Sequence, residues 1–130
     1  MSTARNDAQL DEGITEDQTR WTLGRSVDDK GGRTIWIAVT TALGARFKGG
    51  YGSPSLTEGV DFSTFQGQAD GVPVSTIVRV RRTVESVRAV YSDGSTEVVR
   101  LVPDPDDTRV LLGAHVCSGS RTVSKFDIQR

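Results

Sequence analysis

Residues 84–102, Val-Glu-Ser-Val-Arg-Ala-Val-Tyr-Ser-Asp-Gly-Ser-Thr-Glu-Val-Val-Arg-Leu-Val, decide the fold class. Two runs rich in β-branched residues flank Ser92-Asp93-Gly94-Ser95. An Asp-Gly pair between such runs is the strongest short-range signal of a β-hairpin. The stretch therefore predicts one strand from Val84 to Tyr91 and a second from Thr96 to Val102.

Alternation of apolar and polar residues extends in both directions from this hairpin. Residues 72–82 place valines at even positions with Arg79 and Arg81 opposite, and residues 109–117 alternate again. Further strands are predicted at 21–27, 34–41, 44–51 and 122–128. Residues 53–70 are rich in Ser, Thr, Gly and Gln, and this composition predicts a long surface loop. Seven to eight short strands without a long helix indicate an all-β fold, an antiparallel β-sandwich, with a small open β-barrel as the alternative.

The length of 130 residues corresponds to one domain. Residues 1–19 carry Arg5 against five acidic side chains, which predicts an acidic, flexible N-terminal arm. The alternative for this arm is a short amphipathic helix that orders on a partner through Leu10 and Ile14. Residues 20–130 are then a single all-β domain.

The overall composition excludes several classes of protein. Sixteen basic against seventeen acidic residues give a net charge of −1, which argues against a strongly polycationic nucleic-acid binder. A single cysteine excludes an internal disulfide, and with a single histidine it excludes a zinc site made of these residues alone. Because the only thiol, Cys117, is unpaired and the longest apolar run is residues 35–39, we expect a cytoplasmic location.

Few side chains offer catalytic chemistry. His115 and Cys117 stand two residues apart on a predicted strand and so point to the same face, as a nucleophile and its base would. They lie within an aliphatic run, however, where a free cysteine is usually a buried core residue. We therefore predict that the protein is not an enzyme, has no catalytic residues and uses no cofactor.

Two further motifs favour structural interpretations. Asp104, Asp106 and Asp107 lack the spaced glycine and bidentate glutamate of a calcium loop, so solvated loop acids are predicted and no metal site. Residues 49–52, Gly-Gly-Tyr-Gly, lack the Lys-Ser/Thr that follows a phosphate-binding loop, which favours a bulge or tight bend.

Positive charge is concentrated on the central predicted strands, at Arg79, Arg81, Arg82, Arg88 and Arg100. A stripe of Arg79, Arg81 and Arg82 suggests a β-barrel that binds single-stranded nucleic acid, but only Tyr91 lies near it for base stacking. The default is a solvated sheet face of mixed charge, and in one variant the acidic arm folds back onto these arginines.

Residues 72–128 resemble small all-β domains of actinobacterial proteins of unassigned function. The resemblance rests on Val-x-Val before a strand, on Tyr91-Ser92-Asp93-Gly94 and on residues 98–102, Val-Val-Arg-Leu-Val. Such domains carry no agreed catalytic residues, so the resemblance implies an all-β fold and transfers no site residue.

The function that we expect is that of a non-catalytic protein-binding or assembly module. The expected partner is another protein or a second copy of the chain, and no membrane is expected. The first alternative is binding of single-stranded nucleic acid, and the second is binding of a small ligand inside a barrel. Aromatic and basic residues supply the candidate interface: Tyr51, Phe62, Phe65, Arg79 and Arg81, with Trp21 and Phe47 as further aromatic candidates. Core or loop anchoring is the competing role for the aromatic side chains.

Overall fold

The computed structural model describes residues 6–52, 56, 59–118 and 121–130, which form eleven strands and no helix. The strands are β1 (Asn6–Ile14), β2 (Arg20–Val27), β3 (Arg33–Thr40), β4 (Arg46–Gly52), β5 (Phe62–Gly67), β6 (Ser75–Arg81), β7 (Ser86–Tyr91), β8 (Thr96–Val99), β9 (Leu101–Asp104), β10 (Asp107–Val116) and β11 (Val123–Gln129). The described part of the chain has no helix of the length and apolarity required to cross a membrane.

Three antiparallel sheets account for all of these strands. Sheet A has the order β1-β2-β3-β4, sheet B the order β5-β6-β10-β9, and sheet C the order β11-β7-β8. No sheet of the described residues closes into a barrel. The predicted all-β antiparallel sandwich is therefore confirmed, and the barrel alternative is not the fold.

Sheet B is the middle layer, because its two long strands β6 and β10 are buried on both faces. Ile77 and Leu112 belong to an apolar cluster shared with sheet A, whereas Val78 and Val80 belong to a second cluster shared with Val87 of sheet C. Burial of apolar surface contributes about 25 cal/mol per Å². Two such interfaces, rather than one, hold this sandwich together.

The hairpin predicted around Asp93-Gly94 is present. β7 pairs with β8 in antiparallel register, with Val87 opposite Val99, and Gly94 has the positive φ of 86° that such a turn needs. The chain then leaves this sheet: Arg100 separates β8, in sheet C, from β9, in sheet B. The predicted single strand to Val102 is thus two strands, which is one reason for eleven strands rather than seven to eight.

Residues 6–14 differ from the predicted flexible arm. They form strand β1 rather than a helix, and pair with β2 from Asn6 opposite Val27 to Ile14 opposite Arg20. Leu10 packs against the first apolar cluster, and Arg100 donates hydrogen bonds to both carboxylate oxygens of Asp11. The variant in which the acidic segment folds back onto an arginine is confirmed for Arg100. The acidic composition of residues 6–14 concealed a strand in which one charge, that of Asp11, is paired with Arg100.

The predicted loop at 53–70 contains a strand, so that prediction is wrong for residues 62–67. β5 pairs with β6 along its whole length, and Phe65 lies opposite Ile77. The polar residues of β5 are tolerated because Thr64 and Gln66 are exposed and the half-buried Ser63 accepts a hydrogen bond from Arg79. Residues 53–55, 57 and 58 lie outside the described part of the chain.

Glycines 49 and 50 do not form the predicted bulge or bend. β4 pairs with β3 in unbroken register from Arg46 to Gly52. A Cβ atom at Gly49 would lie 2.6 Å from the ring of Phe47, and one at Gly24 would lie 2.0 Å from the ring of Trp36. Gly24 and Gly49 therefore make room for the aromatic rings of Trp36 and Phe47.

Candidate functional site

Three of the predicted interface residues meet between sheets A and B. The rings of Tyr51 and Phe65 stack with centroids 5.5 Å apart, and the Arg79 guanidinium lies 5.4 Å from the centre of the Tyr51 ring. Arg79 is only 9% exposed and donates a hydrogen bond to Ser63 Oγ. These side chains are packed between two layers, where they anchor the sandwich.

The other two predicted residues lie elsewhere. Phe62 packs against the second apolar cluster, and Arg81 donates to the backbone carbonyls of Val60 and Leu56. Arg79 and Arg81 were expected on a solvated face because valines occupy the opposite face of β6. That expectation is wrong for Arg79, since both faces of β6 are covered. The arginines do not form a continuous exposed stripe.

The aspartates of residues 104–107 are not simply solvated. The side chain of Asp104 is fully buried and accepts two hydrogen bonds from Arg33, one of 2.8 Å from Nη2. Asp106 forms ion pairs with Arg25 and Arg33, both at 2.9 Å. Burial lowers the pKa of Arg33, but hydrogen bonds and charge from both aspartates outweigh it, so the pKa is raised. This network joins sheet A to the β9–β10 turn, and it corrects the prediction for Asp104.

The strand switch at Arg100 leaves an open edge on β10. The Cys117 N–H donates to the Val74 carbonyl, on the β6 side of β10. Because backbone groups alternate sides along an antiparallel strand, Ala114 and Val116 direct their N–H and C=O groups to the opposite side. There β9 pairs with β10 only as far as Gly113, opposite Leu101, and no described strand continues the pairing.

A cleft of about 310 Å³ lies where a further strand would pair with β10 beyond Gly113, and we call this cleft the slot. One wall is residues 114–116 of β10, and the others are the end of β1 with the turn after it, Trp21, and β8. Ile14 and Val98 flank the slot and are 53% and 63% exposed. At one end Arg100 bridges the walls, because it binds Asp11 and also donates to the Glu12 carbonyl.

The absence of a side chain at Gly113 allows the β8–β9 junction to approach β10 closely. A Cβ atom there would lie 2.7 Å from the carbonyl oxygen of Arg100. The close approach brings the β8–β9 junction against β10, immediately before the two strands diverge. The slot is thus bounded by backbone that the fold holds in place.

His115 forms a polar cluster at the wall of the slot. Its Nε2 lies 2.8 Å from the Tyr91 hydroxyl and 3.6 Å from a carboxylate oxygen of Glu97, and the Arg121 guanidinium lies 4.1 Å from the centre of the Tyr91 ring. Burial, reinforced by the charge of Glu97, raises the pKa of Tyr91 to about 12. Burial also lowers the pKa of His115. The cluster therefore holds a neutral imidazole and a protonated phenol at neutral pH.

Cys117 does not have the environment of a nucleophile. It follows the last residue of β10 and is buried, and this burial raises the pKa of its thiol. A reactive cysteine needs the opposite, a thiolate favoured by a neighbouring positive charge. The neutral imidazole of His115 does not supply that charge, so the pair of His115 and Cys117 lacks the elements of thiol catalysis.

We expect the free energy of unfolding to decrease as the pH falls from 7.5 to 5.5. The unfolded chain takes up a proton on histidine near pH 6.5, whereas the folded chain, in which the pKa of His115 is lower, does not. Urea unfolding at several pH values measures this loss. His115 is the only histidine, so His115→Gln should flatten the profile. An equally steep profile in that variant would assign the dependence to other groups.

Comparison of this chain with protein-family models, with curated proteins and with solved structures finds no match. The candidate site is therefore described from the geometry of this chain alone. Of the described residues that line the slot, Trp21 was among the aromatic interface candidates. His115 was considered as a base for Cys117 and Arg100 as part of the concentrated positive charge, and neither role indicated a cleft beside β10. The sequence contained one indication of the slot, Val98. Because Val98 and Val99 are adjacent in β8, they place an apolar side chain on each face of that strand.

Proposed function

We propose that this protein is a non-catalytic binding module that takes an extended segment of another protein into the slot. The observation that carries the proposal is that, among the described strands, none pairs with the edge of β10 at Ala114 and Val116 that faces away from β6. An unpaired strand edge inside a preformed cleft is the geometry used in β-strand addition, in which main-chain hydrogen bonds supply affinity. Three residues of a partner strand span about 10 Å, the length of this edge.

The surroundings of this edge support a protein partner. Exposed edges are usually shielded by charge, bulges or a covering segment, since they attract other chains. Here charged side chains also line the slot, namely Glu16, Glu97 and Arg100. They lie beside the exposed apolar side chains of Ile14 and Val98 and the half-buried ring of Trp21. Ala114 and Val116 themselves are 7% and 3% exposed, so this edge of β10 borders solvent only through the slot. Apolar and aromatic side chains around such a cleft are typical of a surface that another chain covers.

Support for the alternatives is weaker. The arginines suggested for nucleic-acid binding are buried or bound to carbonyls, and the described residues around the slot present one aromatic ring, Trp21. Catalysis is disfavoured by the raised thiol pKa of Cys117. The location that we propose is the cytoplasm, where a single unpaired cysteine remains reduced.

Photocrosslinking tests this function. With a photoreactive amino acid at Val98, we expect cross-links in native lysate to one protein partner, within an extended segment of it. The same group at Leu43, which is 99% exposed in the β3–β4 turn far along the chain, is the matched control. Cross-links that are the same at both positions, or at Val98 only to nucleic acid, would refute the proposal. Nuclease treatment of the cross-linked sample distinguishes cross-links to nucleic acid from cross-links to protein.

A further inference from the structure

The two faces of a strand in the slot would meet different surroundings. In antiparallel pairing, residues directly opposite one another point to the same face. Ala114 and Val116 face sheet A, in the first apolar cluster, against which Trp21 also packs. His115 faces sheet C, where it meets Tyr91 and Glu97. Side chains of the added strand therefore alternate between an apolar and a polar environment.

The polar side of the slot is acidic. Glu97 contacts Tyr91 and Arg121, at 3.2 and 3.9 Å, yet its side chain remains 47% exposed at the slot. Glu16 also lines the slot. Among the described residues of the lining, Arg100 is the one basic side chain, and it is paired with Asp11 through two hydrogen bonds. Arg121 lies outside the lining and contacts Glu97 at the longer distance of 3.9 Å. His115 is neutral at neutral pH, because burial lowers its pKa.

We infer that the slot selects a segment of the form apolar–basic–apolar, with the two apolar side chains opposite Ala114 and Val116 and a lysine or arginine opposite His115. The apolar side chains pack beside Trp21, and the basic side chain pairs with Glu97. This inference rests on the proposed strand addition, and it names the chemical class of the partner segment. Main-chain pairing gives affinity without sequence preference, so selectivity comes from these three side chains.

Labelled seven-residue peptides test the inference directly. Their three central residues are Val-Lys-Val, Val-Gln-Val or Val-Glu-Val, and a fourth peptide carries N-methylated central amides. Binding is measured by fluorescence anisotropy and by hydrogen exchange of the Ala114 and Val116 amides, which should slow. We expect Val-Lys-Val to bind on the order of fivefold more tightly than Val-Glu-Val, the effect of a partly exposed ion pair.

Charge reversal gives the decisive comparison. Glu97→Lys should invert the order of the lysine and glutamate peptides, whereas Glu85→Lys, at an exposed position outside the slot, should preserve it. Peptides that bind equally, and lose binding on N-methylation, would overturn the basic preference and leave strand addition intact. If none of the unmethylated peptides protects Ala114 and Val116, strand addition itself fails. An unchanged order in Glu97→Lys would also overturn the inference.

Discussion

Asp104→Ala is expected to lower the free energy of unfolding by about 3–5 kcal/mol, the usual cost of removing one partner of a buried ion pair. The carboxylate of Asp104 is fully buried, and the Arg33 guanidinium that it holds is largely shielded from water. Without Asp104, Arg33 loses its buried carboxylate partner, although its contact with the more exposed Asp106 remains. Chemical denaturation at neutral pH measures the loss.

Two further variants test this explanation. Asp107→Ala removes an aspartate three residues away whose partner, Arg109, is exposed, so little change is expected. The double variant Arg33→Met with Asp104→Leu should recover most of the stability, since apolar residues of similar size can replace a buried pair. If Asp104→Ala and Asp107→Ala had equal effects, the buried network would not be a main source of stability.

Gly50→Val is expected to cost about 3 kcal/mol, at the upper end of overpacking effects. A Cβ atom at Gly50 would lie 2.3 Å from the carbonyl oxygen of Ile35 and 2.9 Å from the Cα atom of Trp36. Both are backbone atoms of the paired strand β3, so side-chain rotation does not relieve the clash. Thermal and denaturant unfolding would both report the loss.

Gly52→Val is the matched control on the same strand. A Cβ atom at Gly52 meets nothing within 4 Å, and valine is the better strand former. We therefore expect stability to be unchanged or slightly increased in this variant. A loss equal to that of Gly50→Val would show that the clash with β3 is not the cause, and that β4 tolerates no side chain at either glycine.

Local patterns predicted much of the fold correctly. The Asp93-Gly94 turn, the alternating valines of β6 and the apolar residues of β3 each lie where the sequence placed them, because turn preference and side-chain alternation act within a few residues. Predictions failed where local composition and tertiary position disagree. β1 is acidic and β5 is rich in Ser, Thr and Gln, yet each pairs with a neighbouring strand.

The predicted site residues show the same division. Tyr51, Phe65 and Arg79 do come together, but between sheets A and B, where they stabilise the packing. The prediction treated β6 as a strand with one buried face, as in a two-sheet sandwich. A middle sheet is packed against a neighbouring sheet on each face. Alternation of residues along one strand does not show that a second sheet covers the other face.

Periodicity and turn residues in the chain were enough to establish an all-β antiparallel fold, because they act through local backbone geometry. The location of sheet B between two others, the buried Arg33–Asp104 pair and the slot beside Ala114 and Val116 depend on the three-dimensional structure. Each joins residues far apart in the chain. The slot exists because the chain changes sheets at Arg100. That change depends on tertiary pairing, since β8 pairs with β7 in sheet C and β9 pairs with β10 in sheet B.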